Sequence, residues 1–182
     1  MKHDMGLFLR FAEGCRCYMK HFSVLDTKDE KEIASGKPSQ ETIKRVFYMA
    51  YPELEKMSKK SGKPIFDTEL LRQFYCFEHN RLMHDMGHMA CMTFPGYIIG
   101  KINGEYVIEL EPIDTALRVS SDINLKHGDW VLVHRMNIVE KTTTIFARKV
   151  ADYIKKLGMD KHLKFPPETI KYLERLRKLK SA

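Results

Sequence analysis

Five side chains of types that commonly bind metal ions lie close together near the middle of the chain: Cys76, His79, His84, His88 and Cys91. His84 and His88 are four residues apart, so a continuing helix would place both imidazoles on one face, about one turn apart. That spacing lets two imidazoles bind one metal ion. Cys91 would add a third ligand and leave a position open for an exogenous one. We therefore take these residues as candidate metal ligands.

The same pattern also suits a structural role. Histidine and cysteine are both found in protein interiors, and Gly87 is typical of a helix end, which would separate His84 from His88. Cys15 and Cys17 are two residues apart and do not face each other on a helix, so we interpret them as core or incidental residues. A metal site and a buried structural cluster both remain open.

Composition excludes several classes of protein. The chain is 43% hydrophobic and 30% charged, and this hydrophobic content is too high for a disordered chain. Its 182 residues are enough for one large or two small domains. No apolar run approaches the roughly 18 residues of a membrane span. Arg10 and Glu13 interrupt the first apolar stretch, so we expect no secretion signal. Four cysteines are too few for a disulfide scaffold in a chain of this length. Because we also expect no secretion signal, we expect a cytoplasmic protein.

The net charge of +7 is unevenly distributed. Residues 1–90 carry +2, residues 91–143 carry −2, and residues 144–182 carry +7. A basic terminal segment can attract nucleic acid, anionic lipid or an acidic partner, and it can equally be a solvated helical face. Charge alone therefore assigns no partner.

Residues 1–90 predict a helical domain, because apolar residues recur at helical spacing. Ser39 is predicted to cap one helix, and Pro52 to end or kink it. A loop is predicted at residues 59–64, and Asp67 or Thr68 is predicted to cap the next helix. The last of these helices is expected to run towards Gly87.

The pattern changes to strand-like after residue 91. Asn103-Gly104 suits a type I′ turn and predicts a hairpin. Five short strands are predicted, at 97–102, 105–110, 115–119, 130–134 and 137–141. They favour a small OB-like β-barrel over residues 91–143. Residues 144–182 predict two basic helices, one that ends at Gly158 and one from about 166 to 180. The expected class is α+β.

Two motifs within this segment resemble the HypC/HupF family of [NiFe]-hydrogenase maturation chaperones. The first is C-M-T-F-P-G at residues 91–96, and the second is G-D-W-V-L-V-H at residues 128–134. Their order, the strands between them and the amphipathic helix that follows extend the resemblance over about residues 91–157. It implies a five-stranded OB-like barrel with a C-terminal helix.

The resemblance also implies a function. Family members are non-enzymatic carriers of an iron fragment that bears CO and cyanide, and they work with the partner HypD and a metalloenzyme large-subunit precursor. By motif, Cys91 would contact iron and partner, His134 would support that site, and Pro95 would shape the turn after the cysteine. A thiolate is a soft ligand suited to iron.

This chain departs from the family in several places, among them Thr93, where the family usually has Ala or Gly, and the basic C-terminal helix, which has no counterpart. The family cysteine follows the initiator methionine and offers a free amine, whereas Cys91 is internal. Residues 135–137 replace a small apolar stretch after the histidine, and the first 90 residues have no counterpart. We hypothesise that the leader covers Cys91 and that His84 and His88 replace the amine as ligands.

Two other classes of function compete with the chaperone. An OB-like barrel with a basic tail predicts single-stranded nucleic-acid binding, although residues 91–143 are net negative. An enzyme would use Cys91 as nucleophile and His134 as base. No third residue that would orient the base is identifiable, so we rank the enzyme last and expect an accessory protein.

Overall fold

The computed structural model describes residues 4–21, 25–113 and 115–160, together with Pro167 and Lys171; the side chains of residues 14–21 are not described. The predicted final helix at about 166–180 and the thiols of Cys15 and Cys17 therefore lie outside the described part. The chain divides into two compact units, residues 1–75 and residues 76–182. The sequence-based boundary between helices and strands lies at residue 90, so the second unit contains the last 15 residues of the predicted helical domain.

The first unit is helical, as the apolar spacing predicts. Its helices are α1 (Met5–His21), α2 (Thr27–Ala34), α3 (Gln40–Val46), α4 (Ala50–Ser61) and α5 (Thr68–Gln73). Aromatic rings make much of its core: Phe8 lies 5.1 Å from Phe47 and 5.0 Å from Phe66, between ring centroids. Phe11 stacks on Tyr75 at 4.3 Å. Burial of these rings is the main stabilising contribution in such a small unit.

Two of the predicted caps are confirmed, and two predicted boundaries are wrong. Ser39 accepts a hydrogen bond from the Thr42 N–H, and Asp67 accepts from the first turn of α5. Pro52 does not end a helix; α3 already ends at Val46, and Pro52 lies in the first turn of α4. A first-turn residue needs no N–H for the helix, so proline is tolerated there. The predicted loop at 59–64 is also wrong in its first half, because α4 continues to Ser61.

The second unit contains a five-stranded antiparallel sheet with the order β3-β2-β1-β4-β5. Its strands are β1 (Thr93–Ile102), β2 (Glu105–Leu110), β3 (Thr115–Val119), β4 (Trp130–His134) and β5 (Asn137–Thr142). The hairpin turn between β1 and β2 is confirmed, with φ of 50° at Asn103 and 83° at Gly104. The α+β class is therefore confirmed, whereas closure of the sheet into a barrel stays a prediction.

Helices and turns flank this sheet. A π-helical turn (Phe74–Glu78) precedes α6 (His79–Asp85), a 3₁₀ turn (Met89–Cys91) precedes β1, and α7 (Thr144–Lys156) follows β5. Thr143 caps α7, since its side chain accepts from the Phe146 N–H. Helix α7 packs on β1 and β4, and Phe77 contacts Phe146 and Tyr153 of this helix. Ala147, Val150, Ala151 and Ile154 of α7 are buried, whereas Ile145, which the helical spacing assigns to the apolar face, is 84% exposed.

Candidate functional site

Cys91 lies at the start of the sheet and is nearly buried. It is the last residue of the 3₁₀ turn and is 8% exposed. Arg135 covers the thiol: its Nε donates to Cys91 Sγ at 3.0 Å, and its Nη2 donates to the same sulfur. The sulfur is thus the acceptor for two N–H groups of one guanidinium, a fork geometry that lysine lacks.

Strand register explains why residues 44 positions apart meet. Thr93 of β1 lies opposite His134 of β4. In an antiparallel pair, the residues just before Thr93 therefore approach those just after His134. Arg135 and Met136 form the two-residue turn to β5, with φ of 48° and 64°. The turn holds Arg135 beside the segment that carries Cys91.

His134 is fully buried at the end of β4. Its ring lies edge-on to that of His79, with 5.3 Å between the centroids and an interplanar angle of 76°. Burial lowers the pKa of His79 well below 6.5, and the neighbouring His134 and Arg135 lower it further. The charged form of a buried imidazole is disfavoured by lost solvation and by nearby positive charge. His79 is therefore neutral at neutral pH.

Asn80 fixes the start of β1. Its side-chain Nδ2 donates to the Thr93 carbonyl at 2.8 Å, and the Thr93 N–H donates to its Oδ1 at 2.6 Å. Both residues are fully buried. This pair of bonds mimics a strand partner, because it satisfies one backbone donor and one acceptor of the same residue. It holds α6 to the strand that follows Cys91.

Pro95 does not occupy a turn, contrary to the role that the sequence predicts. It is the third residue of β1, buried, opposite Leu132 of β4. Its carbonyl accepts from the Glu111 N–H at 2.9 Å. The C-M-T-F-P-G segment runs from the end of the 3₁₀ turn, at Cys91, directly into β1, which begins at Thr93.

His84 and His88 lack the continuous helix that their spacing requires. Helix α6 ends at Asp85, and Gly87 takes a φ of 72°, which favours glycine. His84 is half-buried, with its Nδ1 3.6 Å from Asp85 Oδ1, and His88 is exposed. The geometric argument for these two residues as paired ligands is therefore wrong.

Cys76 is fully buried in the π-helical turn. Over the described ranges, no three His, Cys, Asp or Glu side chains are grouped so that they could hold a metal ion. The structure thus brings together Cys91 with Arg135 and His79 with His134, but it does not assemble the full predicted ligand set.

Sequence analysis missed two of the residues that shape this site. Asn80 carried one signal, since it lies three or four residues from Cys76, Phe77 and Met83, on an apolar helix face where a buried amide needs partners. Arg135 was noted only as a departure from the family pattern. Its contact with Cys91 depends on strand register, which single-sequence patterns do not give.

Comparisons with protein-family models, with curated proteins and with solved structures found no match to this chain. Within the part of the chain that the structure describes, no helix has the length and apolar character needed to cross a membrane.

Proposed function

We propose that this protein is a HypC-like metallocentre-assembly chaperone, which carries an iron fragment and acts through Cys91 and protein–protein contacts. One observation carries the proposal: the pairing of Thr93 with His134 brings the cysteine segment and the strand histidine to the same end of the sheet. These are the two residues that the motif resemblance selects. An OB-like closure of the sheet and a cytoplasmic location are parts of the same proposal.

The chemistry of these side chains suits a soft metal cargo. A cysteine sulfur prefers iron and other soft or borderline metals over magnesium or calcium. His134 is buried at the end of β4, where an imidazole can ligate or orient a neighbouring ligand. In this proposal the iron fragment is cargo that passes to a client, so a site with few protein ligands is suitable.

The proposed partners are a HypD-like protein and a metalloenzyme large-subunit precursor. Because Cys91 is 8% exposed and lies under Arg135, docking of a partner has to displace the guanidinium before the sulfur is reached. The proposal therefore makes partner binding depend on the thiol itself.

The test is anaerobic affinity purification of the tagged full-length chain from its host. Wild type is compared with Cys91→Ser, and Cys76→Ala is the matched control because Cys76 is a second buried thiol of the same unit. We expect wild type and Cys76→Ala to recover a HypD-like protein or a metalloenzyme precursor together with iron, and Cys91→Ser to lose both. Recovery of the same partners and the same iron by Cys91→Ser would overturn the proposal.

A further inference from the structure

The cover on the Cys91 thiol has a chemical consequence. Arg135 directs two N–H donors at the sulfur, and it is itself only half-buried. A guanidinium is a permanent cation whose planar donors match the oxygen or nitrogen atoms of an anionic ligand. A ligand that reaches the sulfur therefore meets a positive charge at the same place.

The influence of this charge extends across the site. Arg135 is one of the groups that lower the pKa of His79, and His134 is another. Arg135 is thus the permanent cation at the end of β4, beside the thiol that it contacts, whereas His79 is neutral. Such a charge favours a negatively charged ligand over a neutral or cationic one.

We propose that Arg135 is a specificity-determining residue that selects anionic ligands for Cys91. The guanidinium covers the sulfur when no ligand is present and binds the anionic group of the ligand when the sulfur is occupied. This inference rests on the proposed function, for which it specifies that the cargo is an anionic metal fragment. It concerns this chain in particular, because the family has a small apolar stretch in place of Arg135.

The experiment measures how fast Cys91 is alkylated by iodoacetate, which is anionic, and by iodoacetamide, which is neutral. Mass spectrometry of the Cys91 peptide separates this thiol from the others. Because both reagents attack the same thiolate, the ratio of the two rate constants does not depend on how much thiolate is present. A unit charge within about 4 Å of the reacting atoms changes such a ratio by about fivefold, even with the dielectric constant of water.

We expect Arg135→Gln to lower the iodoacetate-to-iodoacetamide ratio by about this factor. The matched control is Arg148→Gln, which removes the same charge from an exposed position of α7 and is expected to leave the ratio unchanged. An unchanged ratio in Arg135→Gln, or an equal fall in Arg148→Gln, overturns the proposal.

A measurement on the wild type covers the case in which Arg135→Gln does not fold. Raising the salt from about 0.05 M to about 1 M screens the guanidinium, so the ratio is expected to fall towards that of the urea-unfolded chain at the same salt. A ratio that equals the unfolded value already at low salt overturns the proposal. The two proposals can be distinguished. If the iodoacetate-to-iodoacetamide ratio changes as expected while Cys91→Ser keeps its partners, the selectivity of Cys91 for anions is supported and the chaperone function is overturned.

Discussion

Asn80 provides the sharpest test of how the second unit holds its site. Replacing it with alanine removes both hydrogen bonds to Thr93. Each bond contributes a net ~1 kcal/mol, and a buried backbone group left without a partner costs ~1–3 kcal/mol. The Thr93 N–H has one hydrogen to donate and lies in a fully buried residue, so Asn80→Ala is expected to lower the free energy of unfolding by ~2–4 kcal/mol.

Urea unfolding followed by tryptophan fluorescence suits this test, because Trp130 is the single tryptophan and lies in β4 of the second unit. With a slope of ~2 kcal/mol per molar urea, the transition midpoint should fall by about 1–2 M. Hydrogen exchange gives a second readout, since the Thr93 amide should lose its protection. The matched control is Asn124→Ala, an exposed asparagine of the same unit, for which we expect a change within ~0.5 kcal/mol.

One result would refute this reasoning: a change for Asn80→Ala as small as that for Asn124→Ala. It would mean that the two hydrogen bonds do not hold α6 to β1, and that packing alone positions the segment before Thr93. The pairing of Thr93 with His134 would then hold Cys91 beside Arg135 without the hydrogen bonds from α6.

Two further predictions concern the sheet and the first unit. A Cβ at Gly96 would lie 2.4 Å from Cγ2 of the stiff, buried Ile108, so Gly96→Ala should destabilise by ~1–3 kcal/mol in urea unfolding; Gly100→Ala, which meets nothing within 4 Å, is the control and should show no comparable loss. Hydrogen bonds, first from Thr42, lower the pKa of Glu32 from 4.5 to about 2. The ionised carboxylate therefore stabilises the fold above pH 4.5, and this contribution is lost as the pH falls towards 2. Thermal melts should show Glu32→Gln less stable than wild type at pH 7 and the difference closing over that range; a difference independent of pH would contradict the assignment.

Features specified by neighbouring residues were predictable from the sequence. The Asn103-Gly104 turn needs positive φ at both positions, which this dipeptide adopts at low cost. Caps such as Ser39 depend on a side chain that reaches an N–H three residues away. The error at Pro52 shows the limit of such local reasoning. Proline marks the start of a helix as readily as the end of one, and only the packing of α3 and α4 decides between them.

The candidate site was predictable in its parts but not in its contacts. The motifs identified Cys91 and His134, yet the contact between Cys91 and Arg135 spans 44 residues, and that between Asn80 and Thr93 spans 13. Both depend on which residues of two elements are placed opposite each other. The predicted pairing of His84 and His88 on one helix face is wrong because it requires a continuous helix, and this helix ends at Asp85.

The two tight hairpin turns of the sheet support a functional interpretation of Arg135. Both turns place two residues at positive φ. One uses Asn-Gly, whereas the other uses Arg135 and Met136, for which this conformation costs ~1–2 kcal/mol per residue. Burial of the Met136 side chain, which is 4% exposed, offsets part of that conformational free energy. Arg135 is only half-buried, so its position is better explained by its contact with Cys91. Backbone strain of this kind is concentrated at ligand sites, and this strained turn carries the guanidinium that donates to the Cys91 thiol.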